Sequence, residues 1–88
     1  MKVSVKLYSL LVQRVGDEIL KQQPKAIRSG IPFEVNLPSD STLEDLVRNL
    51  SLPENLVKLT FVNGIHQQLS YQLQPGDQVG VFPPIAGG

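Results

Sequence analysis

Apolar residues recur with a period of two at the start of the chain. Val3, Val5 and Leu7 fall on one face, and Lys2, Ser4, Lys6 and Tyr8 on the other. Successive side chains of a strand point to opposite faces, so this alternation predicts a half-buried β-strand over residues 2–8. The same pattern returns in Ile31-Pro32-Phe33-Glu34-Val35-Asn36-Leu37, with Ile31, Phe33, Val35 and Leu37 directed inward. Pro32 has no amide hydrogen and suits the beginning of an edge strand. Between the two strands, Leu10-Leu11-Val12 and Val15 fit a short helical turn that Gly16 ends. Residues 17–30 are mostly polar and broken by Pro24, which predicts a long loop with room for a helical stub.

After Pro38 the period changes to that of a helix. Leu43, Leu46, Val47 and Leu50 recur at i, i+3, i+4 and i+7, one apolar stripe that ends before Leu52-Pro53. Ser41-Thr42-Leu43-Glu44 matches a capping box, in which Ser41 accepts from the Glu44 amide and Glu44 reaches back. Residues 58–62 read as a strand, with Leu59 and Phe61 on one face and Thr60 and Val62 on the other. Asn63-Gly64 is a type I′ hairpin signal leading into Ile65-His66-Gln67-Gln68. The turn Pro75-Gly76-Asp77 launches a last strand, Gln78 to Phe82. The order β-β-α-β-β-β is α+β. A hairpin of early strands, one helix over one face and a last strand inserted beside the first would make a β-grasp, with a mixed sheet of four to five strands. The domain would occupy residues 1–82, leaving residues 83–88 as a projecting tail.

Length and composition narrow the chemistry. Eighty-eight residues make one domain, and 41% hydrophobic with 18% charged residues suit a globular chain. There is no Cys, which removes a thiolate nucleophile, a redox pair and any Cys-ligated metal. A secreted domain this small usually carries disulfides, so a cytoplasmic location is expected. The alternating N-terminus lacks a signal peptide's apolar block, and no stretch approaches the roughly 20 apolar residues of a membrane span. Zero net charge argues against nucleic acid as a partner. Lys21, Lys25 and Arg28 read as a solvated loop.

Nothing assembles a nucleophile, a base and an oxyanion site, so catalytic residues and a metal site are both expected to be absent. His66, the sole His, has no acidic residue or Cys at ligand spacing and reads as an exposed hairpin residue. Glu44 and Asp45 point apart on the helix and serve its N-terminus. Asp77, Gly64 and Gly76 read as turn residues, and no phosphate-binding Gly pattern occurs.

The distinctive stretch is Phe82-Pro83-Pro84-Ile85-Ala86-Gly87-Gly88. Two prolines stiffen the exit from the last strand, and two residues without Cβ follow. Extended at about 3.3–3.6 Å per residue, residues 83–88 would reach roughly 20 Å beyond the sheet. Such a tail is thin enough to thread an enclosing channel, which makes the carboxylate of Gly88 the expected working group. If the first and last strands are parallel neighbours, Tyr8 and Phe82 meet where the tail emerges. With one helix to cover one face, Leu59 and Phe61 would then be left exposed beside them. Tyr8, Leu59, Phe61 and Phe82 are therefore the expected partner-docking face. The competing reading is that Tyr8 and Phe61 complete the core under the long loop.

Three stretches make the chain resemble the MoaD/ThiS family of ubiquitin-like sulfur carriers. They are Phe61-Val62-Asn63-Gly64, Pro75-Gly76-Asp77-Gln78-Val79 and the ending Phe82 to Gly88, whose double proline is closest to MoaD, the small subunit of molybdopterin synthase. The likeness covers almost the whole chain, and residues 17–30 are longer than the matching loop of the family's short members. It implies that a MoeB/ThiF-type adenylyltransferase, related to ubiquitin-activating enzymes, uses ATP to adenylate Gly88. A sulfur donor system would then convert the acyl-adenylate to a thiocarboxylate. The thiocarboxylate would deliver sulfur to a pterin precursor beside a MoaE-type large subunit, in molybdenum cofactor biosynthesis. Phe82, Pro83, Pro84, Ile85, Ala86 and Gly87 would thread the partners' active sites. The chain would bind no cofactor, and catalytic groups would belong to its partners. Alternatives with the same ending are a carrier for thiazole or cysteine synthesis, a ubiquitin-like protein modifier, and a non-covalent β-grasp module.

Overall fold

In the computed structural model, which describes residues 1–84, the two ends of the chain's folded part lie side by side at the middle of one sheet. Strand β1 (Lys2–Leu7) pairs antiparallel with β2 (Phe33–Asn36), Val3 opposite Val35 and Val5 opposite Phe33. On its other flank β1 runs parallel to β5 (Gln78–Phe82), Val5 opposite Val79 and Leu7 opposite Val81. Strand β3 (Leu59–Val62) pairs antiparallel with β5 and, through a hairpin, with β4 (Ile65–His66). The sheet order is β2-β1-β5-β3-β4. This is the mixed sheet that insertion of the last strand beside the first requires.

The hairpin turn follows from its residues. Asn63 and Gly64 both hold positive φ, 52° and 83°, as a type I′ turn demands. After His66 the chain leaves the ladder, although Gln67 still donates its amide to the Thr60 carbonyl at 3.0 Å. The fourth strand is thus shorter than the Ile65–Gln68 segment into which the turn signal leads.

Helix α2 (Leu43–Asn49) lies over one face. Its Leu43, Leu46 and Val47, with Leu50 just beyond, join Val3, Val5, Leu7, Val62, Val79 and Val81 in one buried cluster. The cap differs from expectation by one residue. Thr42 is the N-cap: its Oγ1 accepts from the Asp45 amide at 3.2 Å, and Asp45 accepts from the Thr42 amide at 2.9 Å. Ser41 is buried and donates its hydroxyl to the Pro38 carbonyl at 2.7 Å. The physical reason lies in the segment that follows β4. The Leu43 and Glu44 amides are already met by the Tyr71 and Leu69 carbonyls, at 3.0 and 2.9 Å, so the Asp45 amide is the one left for a side-chain cap.

The long connection between β1 and β2 is more ordered than a loop. A 3-10 helix (Ser9–Gln13) buries Leu11, and α1 (Asp17–Gln22) turns Ile19 toward the core. The first two strands pair antiparallel across this long connection, as expected, and its two helical pieces match the helical turn and the stub that the sequence leaves room for. Ile31 also departs from the predicted inward row and is 57% exposed. Gly30 at φ 74° donates to the Leu7 carbonyl, and Ile31 donates back to Arg28, so residues 28–31 form a turn before β2 begins. Among the described residues, no helix is long and apolar enough to cross a membrane.

Candidate functional site

The face of the sheet opposite α2 carries the even-numbered residues of β1 and β5 and the odd-numbered residues of β3. The parallel register that sets Leu7 opposite Val81 brings the next pair, Tyr8 and Phe82, into a stack with ring centroids 4.2 Å apart and planes 6° from parallel. Phe61 meets Phe82 edge-on at 5.6 Å and 82°. The edge-on contact of Phe61 with Phe82 is among the favoured geometries of aromatic pairs. Leu59 lies opposite Phe82 and is 39% exposed. The expected cluster of Tyr8, Leu59, Phe61 and Phe82 is thus contiguous, with Leu59 exposed and the three rings half-buried, and a Cβ at Gly30, the end of the residue 17–30 segment, would stand 3.5 Å from the Tyr8 ring.

Sequence reasoning missed the hollow that this cluster surrounds. Gly80 sits opposite Phe61 in the ladder and, having no side chain to fill it, helps line a depression of about 540 Å³ that Tyr8, Phe61, Phe82 and Lys6 also line. A Cβ at Gly80 would stand 3.6 Å from the Phe82 ring, so the aromatic wall closes directly on the glycine. The only advance signal is the alternation itself, which puts Gly80 on the Phe82 side of β5.

The end of β5 is held firmly. The Lys58 amide donates to the Phe82 carbonyl at 2.8 Å, the last main-chain bond before two residues that have no N–H. The beginning of the strand is held by a side-chain clamp. Asn63 donates Nδ2 to Asp77 Oδ1 at 3.0 Å and accepts from the Gln78 amide at 2.9 Å. Asp77 Oδ2 accepts from the Gln74 amide at 2.8 Å, and the residue is only 6% exposed. Asp77 does serve its turn, as its sequence context predicts, but the carboxylate also binds the β3–β4 hairpin to β5.

Pro83 and Pro84 leave the sheet at this point, Pro84 exposed. Ile85, Ala86, Gly87 and Gly88, the expected tail and its modified end, lie outside the described residues. His66 is exposed and tilted against Phe61 at 5.7 Å. Among the described residues, no group of three or more His, Cys, Asp or Glu side chains could hold a metal ion.

The sequence model of the ThiS family matches residues 16–88. A comparison with curated protein sequences returns no match. Two crystal structures of small archaeal modifier protein 1 from Haloferax volcanii are similar in fold. One has a TM-score of 0.66 at 22% identity, covering 100% of each chain. The other has 0.67 at 19%, covering 96% of this chain and 98% of that one. A structure from Pyrococcus furiosus, assigned as molybdopterin converting factor subunit 1, gives 0.65 at 24%, with coverages of 97% and 99%. At these identities the likeness establishes the architecture, a ubiquitin-like β-grasp. With the family model spanning most of its length, the chain belongs to the ThiS family and carries the ubiquitin-like fold of the MoaD/ThiS sulfur carriers.

Proposed function

We propose that this chain carries sulfur on the carboxylate of Gly88 as the small subunit of a molybdopterin synthase. The observation that carries the reading is the root of the tail. Strand β5 is bonded on both flanks, its Phe82 carbonyl is fixed by Lys58, and two prolines leave beside the aromatic face. A partner that grips Tyr8, Leu59, Phe61 and Phe82 thereby gains a defined origin for a thin segment reaching roughly 20 Å into its interior.

The chemistry needs two partners. A carboxylate is a poor acyl electrophile, so a MoeB/ThiF-type enzyme joins a Gly88 oxygen to the α-phosphorus of ATP and releases pyrophosphate. Sulfide supplied by a donor system then attacks the acyl carbon, AMP leaves, and the thiocarboxylate remains. A MoaE-type subunit receives the loaded tail and passes its sulfur to the pterin precursor. ATP, and the groups that catalyse each step, belong to the partners, and a reducing, cytoplasmic setting accords with the sulfide-level chemistry involved.

Intact mass spectrometry tests this directly. After incubation with its activating enzyme, ATP and a sulfur donor, the chain should gain the mass of one oxygen exchanged for sulfur. An unchanged mass with an active cognate enzyme would overturn the reading. The double proline favours the pterin branch over thiazole or cysteine synthesis. A second reading, a protein modifier joined through Gly88 to lysines, draws on the similarity to a small archaeal modifier protein. Gly88-dependent conjugates of higher mass in cell extracts would favour it.

A further inference from the structure

The free edge of β2 lies on a different side of the molecule from the aromatic face. Leu37 donates its amide to the Met1 carbonyl at 2.8 Å, and the ladder repeats every second residue, so Val35 and Phe33 direct their main-chain groups toward β1. Glu34 and Asn36 direct theirs outward, since β2 ends the sheet. Of these outward groups, the Glu34 carbonyl alone is met among the described residues, and by a side chain: Gln23 Nε2 donates to it at 3.2 Å. An amide side chain is standing where the N–H of another strand would fit.

Gln23 belongs to the segment that follows α1, which overhangs this edge and leaves a cleft of about 830 Å³. The cleft's apolar lining includes Ile27, Phe33 and the largely exposed Ile31. Its charged groups are Lys2, Lys25 and Arg28 against one carboxylate, Glu34, which already faces Lys2 at 3.7 Å. Lys25 and Arg28 have no carboxylate at salt-bridge distance among the described residues. Exposed edges invite strand pairing, and such pairing is a general mode of peptide capture.

We infer that the β2 edge and its overhang form a second docking site, which takes a short, extended, acidic–apolar segment of a partner protein by strand addition. The incoming strand would displace Gln23 and bond the Glu34 and Asn36 main chain. Its apolar residues would pack on Ile27, Ile31 and Phe33, and its carboxylates would face Lys25 and Arg28. Charge chooses this occupant: the cleft has two uncompensated cations, which disfavours a basic or neutral strand. The site uses no part of the tail, so it stands or falls separately from the sulfur chemistry.

The test is amide NMR on the full chain, titrated with a capped pentapeptide alternating glutamate and valine. The Glu34 and Asn36 amides should shift and saturate, with a dissociation constant on the order of 0.1–1 mM for so small a contact. A Lys25→Glu/Arg28→Glu variant, altered only at exposed positions, should bind roughly tenfold more weakly. Asn36→Pro, which removes an edge donor, should also weaken binding while dispersion elsewhere in the spectrum is retained. The proposal is overturned by the absence of saturable shifts at millimolar peptide. It is equally overturned if a lysine–valine peptide, or inorganic phosphate alone, moves the same amides to the same extent. Shifts that grow with protein concentration alone would assign the edge to a second copy of the chain instead.

Discussion

Asp77 keeps a carboxylate out of water by giving it a donor on each oxygen, the Asn63 amide and the Gln74 main chain. Removing it strands both donors in a half-dry setting, and bonds to a charged group are the costly ones to lose. Asp77→Ala should therefore lower unfolding free energy by about 2–3 kcal/mol, measured by urea denaturation. Asn63→Ala should be strongly coupled to it in a double-mutant cycle, because the two side chains share one network. Pro75-Gly76-Asp77 announces a turn, but nothing in that tripeptide reveals a hydrogen bond to a hairpin 14 residues away. Gly80 is similar. Its alternation was readable, whereas the hollow depends on Tyr8 and Phe61 being brought in from other parts of the chain to join Phe82 of the same strand.

At the scale of the element, α2 shows how one signature can be satisfied in two registers. Ser41 with Glu44 and Thr42 with Asp45 both have the spacing of a capping box, and the inward stripe is the same for either. The choice is made by residues 69–71, whose carbonyls take the Leu43 and Glu44 amides. Thr42→Ala should cost about 1 kcal/mol in thermal or chemical unfolding. Glu44→Ala should cost only a few tenths, since it gives up an exposed pair with Arg48 at 3.5 Å. The reverse ranking would restore Ser41 as the cap. Strand boundaries were legible where alternation met a strong turn, as at Asn63-Gly64 and Gln78. The Ile31 alternation misled because a turn closed by the Ile31 amide on the Arg28 carbonyl outranks it, and residues 17–22 gave too short and polar a run to fix more than a helical stub.

Across the whole molecule, the topology was readable because a last strand with apolar alternation has to find a place, and the first strand offers a free flank. The cleft beside β2 was not, since it depends on how residues 19–32 settle against an edge. Of the tail's described residues, neither Pro83 nor Pro84 belongs to the buried cluster. Removing Gly87-Gly88 should leave the unfolding midpoint within experimental scatter while abolishing sulfur loading, and a large loss of stability would assign the pair a structural role. The central position of β5 also has a mechanical consequence. A partner that draws the tail along the strand axis loads the β1 and β3 ladders together in shear, so the bonds must fail in concert. A terminal strand at the sheet's rim, drawn the same way, would be held by one ladder instead of two. The arrangement lets the tail be pulled upon without unravelling the body that carries it.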